Sequence, residues 1–168
     1  MSLRIVIEQL DRSHDRTAFD CGVPALDVYL REQAGQDVKR RIGNCFVALD
    51  LDAGVIAGYY TLAATGIPIS SLPEEETRRL PRYPVLPATL VGRLAIDLRY
   101  RQRGIGSVLL VDALKRSASA APAAFALVVE AKDEAAVAFY VKHGFIRFES
   151  RPMALFLPIA TALKLFGA

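Results

Sequence analysis

Two short stretches hold the residue types that chemistry needs. The first is Arg101-Gln102-Arg103-Gly104-Ile105-Gly106, which follows a strand-like run and opens an amphipathic helical pattern through Leu109, Leu110, Ala113 and Leu114. Glycine at 104 and 106 permits positive φ and close backbone approach, and the unpaired N–H groups at a helix start face whatever occupies the loop. Such a loop is an anion cradle suited to a pyrophosphate. It lacks the third glycine of a dinucleotide G-x-G-x-x-G and the Gly-Lys-Ser/Thr of a P-loop, which argues against a Rossmann enzyme or a nucleotide hydrolase. The second stretch is Ala136-Val137-Ala138-Phe139-Tyr140, followed by Lys142, Gly144 and Phe145. A tyrosine hydroxyl, with a reference pKa of ~10, can protonate a thiolate leaving group of similar basicity and still be neutral at pH 7. Tyr140 is expected near the middle of its helix, with Ala136 one turn back.

The elements that position these stretches alternate along the chain. Arg4 to Ile7 reads as a first strand, and Pro24 opens a helix with Leu26, Tyr29 and Leu30 on one side. Cys45 to Leu49 and Val55 to Ala64, joined by Asp50-Leu51-Asp52-Ala53-Gly54, predict an antiparallel hairpin. Residues 67 to 87 form an excursion in which Pro73-Glu74-Glu75-Glu76 opens a short helix. Ala88 to Ile96 is a strand, Arg99 to Gly106 a loop, Ala123 to Val129 a buried strand, and Asp133 to His143 a helix stopped by Gly144. Phe145 to Phe148 and Met153 to Leu157 are two further strands, and a helix from Ile159 to Phe166 closes the chain. The β-α-β order of 88 to 129 demands a parallel strand pair, whereas the hairpins are antiparallel. The class is therefore α+β with a mixed sheet.

A chain of 168 residues with 52% hydrophobic and 23% charged residues is expected to form one domain spanning 1–168, and the composition excludes disordered, collagenous and coiled-coil classes. Cys21 and Cys45 form no C-x-x-C pattern, so no metal site or disulfide framework is expected and the reducing cytoplasm is the natural compartment. His14 and His143 stand far apart and outside H-E-x-x-H spacing, which leaves them surface or helix-end positions. The N-terminus reads as no signal peptide, and Pro158 and Lys164 break the last apolar stretch well short of a membrane span.

Taken together, the loop and the tyrosine helix resemble the GNAT superfamily of acyl-CoA-dependent N-acyltransferases. The family's R/Q-x-x-G-x-G/A loop is met by Arg101, Gly104 and Gly106, and its closing helix by Phe139, Tyr140, Gly144 and Phe145. The resemblance implies a mainly antiparallel sheet splayed at a central parallel pair, with acetyl-CoA in the opening. Backbone around Leu94, Ala95 and Ile96 would hold the pantetheine arm, and Arg101, Gln102, Arg103, Gly104, Ile105, Gly106 and Ser107 the pyrophosphate. Phe139 would line the cofactor site, and Tyr140 would protonate the departing CoA.

A narrower resemblance covers nearly the whole chain. Phe19-Asp20-Cys21-Gly22, Gly58-Tyr59-Tyr60-Thr61-Leu62 and Leu90-Val91-Gly92-Arg93-Leu94-Ala95-Ile96-Asp97 are similar to the GNAT toxins of type II toxin–antitoxin systems. This implies acetylation of the α-amino group of aminoacyl-tRNA, a block of translation, and a small antitoxin with a ribbon-helix-helix DNA-binding domain. It also implies a homodimer. Asp133 stands seven residues before Tyr140, where most GNAT enzymes have Asn, a departure that the toxin branch tolerates. Two alternatives stay open: a GNAT enzyme of protein N-termini or small amines, and a non-catalytic acyl-CoA-binding module.

An RNA substrate requires a cationic surface. Arg78, Arg79, Arg82, Arg93, Arg99, Arg101 and Arg103 fall within 26 residues whose only acid is Asp97, and Lys39-Arg40-Arg41 form a second cluster. Arg101 and Arg103 are assigned to CoA phosphates and the others to tRNA. An aminoacyl ester holds its α-amine below the ordinary ~8, so no strong enzymic base is needed. Glu130 reads as an ordinary strand-end carboxylate that could relay a proton through water.

Overall fold

The computed structural model describes residues 3–166. Its strands are β1 (Ile5–Gln9), β2 (Asn44–Asp50), β3 (Val55–Pro68), β4 (Val85–Ile96), β5 (Ala126–Glu130), β6 (Ile146–Arg147) and β7 (Ala154–Pro158). They make a seven-stranded sheet of order β1-β2-β3-β4-β5-β7-β6. The helices are α1 (Pro24–Val28), α2 (Ala34–Lys39), α3 (Glu74–Thr77), α4 (Ile105–Ser119), α5 (Glu134–Lys142) and α6 (Ile159–Phe166), with a π-helical turn at Tyr29–Gln33 between the first two. β4 and β5 pair in parallel, while β1–β2, β2–β3, β5–β7 and β6–β7 are antiparallel. The mixed sheet expected from the β-α-β order is what forms. The chain folds as two compact units, one comprising residues to Ala63 with Gly92–Ala113, the other Ala64–Val91 with residues from Leu114 on.

In the first unit the hairpin turns where Asp50 can serve the backbone. Its carboxylate accepts from the N–H groups of Asp52 and Ala53 at 3.0 and 3.3 Å, and Gly54, at φ +68°, completes the turn. The core behind it is Leu10, Phe19, Tyr29, Leu30, Val47, Ile56, Tyr59 and Ala95. Gly58 is required by close packing: a Cβ there would lie 2.9 Å from the Ala95 carbonyl oxygen. His14 is buried rather than on the surface as expected, because its Nδ1 accepts from the Asp11 N–H at 3.0 Å and its Nε2 donates to Glu8 at 2.6 Å.

In the second unit, Ile67, Leu72, Leu86, Ala88, Ala126, Val128, Phe148 and Phe156 form a separate core on one face of the parallel pair. The strand expected over Phe145 to Phe148 is shorter than anticipated, only Ile146–Arg147, because Phe145 closes the preceding helix and Phe148 turns into this core. Among the described residues, no helix is long and apolar enough to cross a membrane.

Candidate active site

The glycine loop of the first unit is held from below by two buried carboxylates. Asp97, 1% exposed, caps a short 3₁₀ turn at Leu98–Tyr100. It accepts from the Asp20 and Arg99 backbone N–H groups at 3.1 and 2.9 Å, and from the Arg99 side chain at 2.8 and 3.0 Å. Burial pushes the Asp97 carboxyl up, but the hydrogen bonds from Arg99 and Asp20 outweigh it and hold it below the usual carboxylate range. One turn on, the Tyr100 hydroxyl donates to Asp50 at 2.6 Å, the bond that contributes most to holding Asp50 ionised. Arg101 donates to the Cys21 carbonyl at 2.9 Å, tying the loop to the Phe19–Gly22 segment.

Above these anchors the loop is open. Gly104 sits at φ +79°, and a Cβ there would meet nothing within 4 Å, so the residue that must be glycine for its backbone also leaves free space at the mouth. Gln102 also takes a positive φ, +60°. Gly106 lies in the first turn of α4, where its small size lets backbone approach an anion. The first helical bond of α4 runs from the Val108 N–H to the Gly104 carbonyl, leaving the preceding amides without helical acceptors. Exposed Arg103 lies with its guanidinium 5.6 Å from the Tyr100 ring centre. The backbone amides of a helix N-terminus, an arginine and the open space beside Gly104 fit a pyrophosphate.

Leu94, Ala95 and Ile96 form the end of β4. Pairing of β4 with β5 ends at Val91 and Val129, one residue before β5 itself ends at Glu130, and β4 continues to Ile96.

Tyr140 belongs to the second unit. Asp133 is the N-cap of α5, its carboxylate accepting from the Ala136 N–H at 2.8 Å; that capping role explains an Asp at this position. The other end is a Schellman motif: Phe145 N–H bonds the Tyr140 carbonyl, Gly144 N–H bonds the Val141 carbonyl, and Gly144 takes φ +95°. The Phe145 and Tyr140 rings meet at 5.6 Å, the apolar contact that accompanies this motif. Tyr140 is therefore in the last turn of α5 rather than its middle, and the F-Y-x-x-x-G-F pattern is the local code that fixes it there. Burial alone pushes its hydroxyl up to about 12, so it keeps its proton across the physiological range. Phe139 packs edge-on against the Tyr140 ring at 5.3 Å and accepts from His143 Nδ1 through its carbonyl at 2.8 Å.

The basic residues divide by environment. Arg78, Arg79 and Arg82 follow α3 in the second unit, exposed and with no acidic side chain within 4 Å among the described residues. Lys39, Arg40 and Arg41 are exposed at the end of α2 in the first unit. Arg93 and Arg99 are engaged internally: Arg93 stacks 3.5 Å from the centre of the Tyr29 ring, whose hydroxyl donates to Asp37, and Arg99 clasps Asp97.

One feature escapes sequence reading. The second unit carries a cleft of ≈ 40 Å³ lined by Ile67, Leu90, Val128 and Phe148, with Glu130 and Arg151 among its polar residues. Its walls come from four separated segments, and no local spacing announces it. Among the described residues, no three or more His, Cys, Asp or Glu group closely enough to hold a metal ion.

Comparison with known proteins matches residues 86–154 to the acetyltransferase (GNAT) domain. The chain is 35% identical, over 95% of its length and 95% of the relative's, to a tRNA-acetylating toxin of Mycobacterium tuberculosis. Among solved structures it resembles AtaT complexed with acetyl-methionyl-tRNAfMet, with a TM-score of 0.88 and 31% identity over 97% of this chain and 99% of that one. It also resembles a Tyr-to-Phe mutant of the toxin AtaT bound to the C-terminus of the antitoxin AtaR and acetyl-CoA, with a TM-score of 0.80 and 28% identity over 98% and 99% of the two chains.

Proposed function

The chain belongs to the GNAT acetyltransferase family, and we propose that it transfers the acetyl group of acetyl-CoA to the α-amino group of aminoacyl-tRNA, acting as a toxin that blocks translation. The likeness over nearly the whole chain to a protein bound to acetyl-methionyl-tRNAfMet carries this reading. Residues 1–168 act as one catalytic domain.

Bound acetyl-CoA supplies the thioester that the amine attacks. The loop amides around Gly104 and Gly106, with Arg103 and the remaining donors of Arg101, hold its pyrophosphate, and the backbone from Leu94 to Ile96 orients its arm. A β4 backbone N–H near Ile96 would stabilise the negative charge that develops on the carbonyl oxygen. As the carbon–sulfur bond breaks, Tyr140 Oη gives its proton to the leaving sulfur and regains one from solvent. The amine enters neutral, and its proton passes to water, a transfer that Glu130 at the end of β5 could relay.

Arg78, Arg79, Arg82, Lys39, Arg40 and Arg41 supply cationic surface for tRNA, with Arg93 and Arg99 at its inner margin. The toxin works in the cytoplasm, as a homodimer, and is neutralised by a small ribbon-helix-helix antitoxin. The test is a competition with labelled acetyl-CoA among charged tRNA, N-terminal peptides and polyamines. Label is expected on charged tRNA; label on peptides or polyamines alone would overturn the tRNA reading, and none anywhere would overturn catalysis.

A further inference from the structure

We propose that the segment Asp20-Cys21-Gly22 is a positioning element for acetyl-CoA: acting through Leu98 and Arg101, it holds the glycine loop in its binding shape before the cofactor arrives. This rests on the reading of residues 101–106 as the pyrophosphate cradle. Every residue involved belongs to the first unit.

Three hydrogen bonds join the segment to the stretch that leads into the loop. The Asp20 N–H donates to the Asp97 carboxylate at 3.1 Å, the Leu98 N–H donates to the Asp20 carbonyl at 2.9 Å, and Arg101 Nη2 donates to the Cys21 carbonyl at 2.9 Å. The first two hold the 3₁₀ turn at Leu98–Tyr100, which ends immediately before Arg101. The third holds Arg101 itself, three residues before Gly104. A guanidinium is rigid and planar, so a bond from one nitrogen to a fixed carbonyl restrains the whole group.

That carbonyl is fixed. Cys21 is 1% exposed, and its N–H donates at 2.9 Å to Asp27 of α1, a buried carboxylate. The Gly22 N–H donates to the Asp20 carboxylate at 2.9 Å, closing a turn in which Gly22 takes φ +86°. A Cβ on Gly22 would lie 3.3 Å from Leu98 Cδ2 and 3.5 Å from the Arg101 nitrogen that bonds Cys21. A side chain at this position therefore strains the turn and crowds both residues through which the segment reaches the loop.

The loop needs such support. Gln102, Arg103 and Gly104 are exposed, and Gln102 and Gly104 both take positive φ. An exposed run of this kind keeps one shape only when its two ends are held. Helix α4 holds the far end, and the Asp20-Cys21-Gly22 segment holds the near one. A loop already ordered binds its ligand without the entropic cost of ordering it.

The experiment titrates the full chain with acetyl-CoA by calorimetry, comparing wild type, Gly22→Ala, Arg101→Gln and the double variant. Each single change should raise Kd on the order of 10-fold. The double variant should lie within about threefold of the weaker-binding single one, because both changes break the same strut. Gly22→Ala touches no charge and should keep the wild-type salt dependence of Kd, whereas Arg103→Gln should reduce it. S-acetylpantetheine, which lacks the pyrophosphate, should bind Gly22→Ala as it binds wild type in ligand-observed NMR, while a general loss of structure would weaken both ligands. Gly22→Asn takes positive φ more readily and keeps the Cβ contacts, so it carries the test should Gly22→Ala fail to fold. A Kd within threefold of wild type for the Gly22 variants, effects that multiply in the double variant, or equal weakening of S-acetylpantetheine would overturn the positioning role. Should Gly104→Asp weaken acetyl-CoA binding while the Gly22 variants do not, the positioning role alone falls; should Gly104→Asp leave binding unchanged, the cradle reading falls with it.

Discussion

The two units present opposite solutions to holding a substrate. The glycine loop of the first is built from polar restraint, with Asp97, Asp50, Tyr100 and Arg101 fixing its backbone through hydrogen bonds. The tyrosine of the second is set by packing, with Tyr140 fixed by a helix terminus and an aromatic contact. A phosphate needs donors fixed in direction, so it calls for a hydrogen-bonded frame. A proton donor that must keep its proton needs low polarity around it, which packing supplies.

The comparison breaks most visibly at Tyr140. Tyr140→Phe removes one hydroxyl and no packing, so it should cut transfer by about 10²–10⁴-fold while calorimetric acetyl-CoA affinity stays within threefold. The raised hydroxyl adds a sign: wild-type rates should climb with pH as the amine loses its proton, with no fall below pH 9, since Tyr140 loses its own only near 12. Gly104→Asp attacks the other side, placing a Cβ at φ +79° and a negative charge in the cradle. Its acetyl-CoA Kd should rise on the order of 30-fold by calorimetry, with the fold intact by circular dichroism.

Asp97→Ala tests whether the polar frame carries the loop. Losing a buried carboxylate that takes four hydrogen bonds should cost about 2–3 kcal/mol in denaturant unfolding and raise KM for acetyl-CoA several-fold, more than kcat falls. The smallest effect belongs to the surface. Replacing Arg78, Arg79 and Arg82 with Gln should flatten the slope of log K for tRNA against log salt by about 2–3 and leave acetyl-CoA binding alone.

Local codes were legible in the sequence and assembled surfaces were not. Pro24, the Asp50–Gly54 turn, Asp133 and Gly144 mark their elements because each acts within a few residues, and the parallel pair followed from the β-α-β order. His14 was misplaced because its burial depends on Glu8 and the Asp11 amide, whose convergence no spacing reveals. Arg93 and Arg99 read as free cations until the structure brought Tyr29 and Asp97 against them. The cleft depends on β3, β4, β5 and the segment before β7 meeting, which pattern alone does not encode.

The most direct measurement is mass spectrometry of charged tRNA isolated after brief expression of the wild-type chain, with Tyr140→Phe in parallel. N-acetylated aminoacyl-adenosine should accumulate with the wild type, along with arrested translation, and be absent with the variant. Unmodified aminoacyl-tRNA in cells whose growth continues would contradict the account.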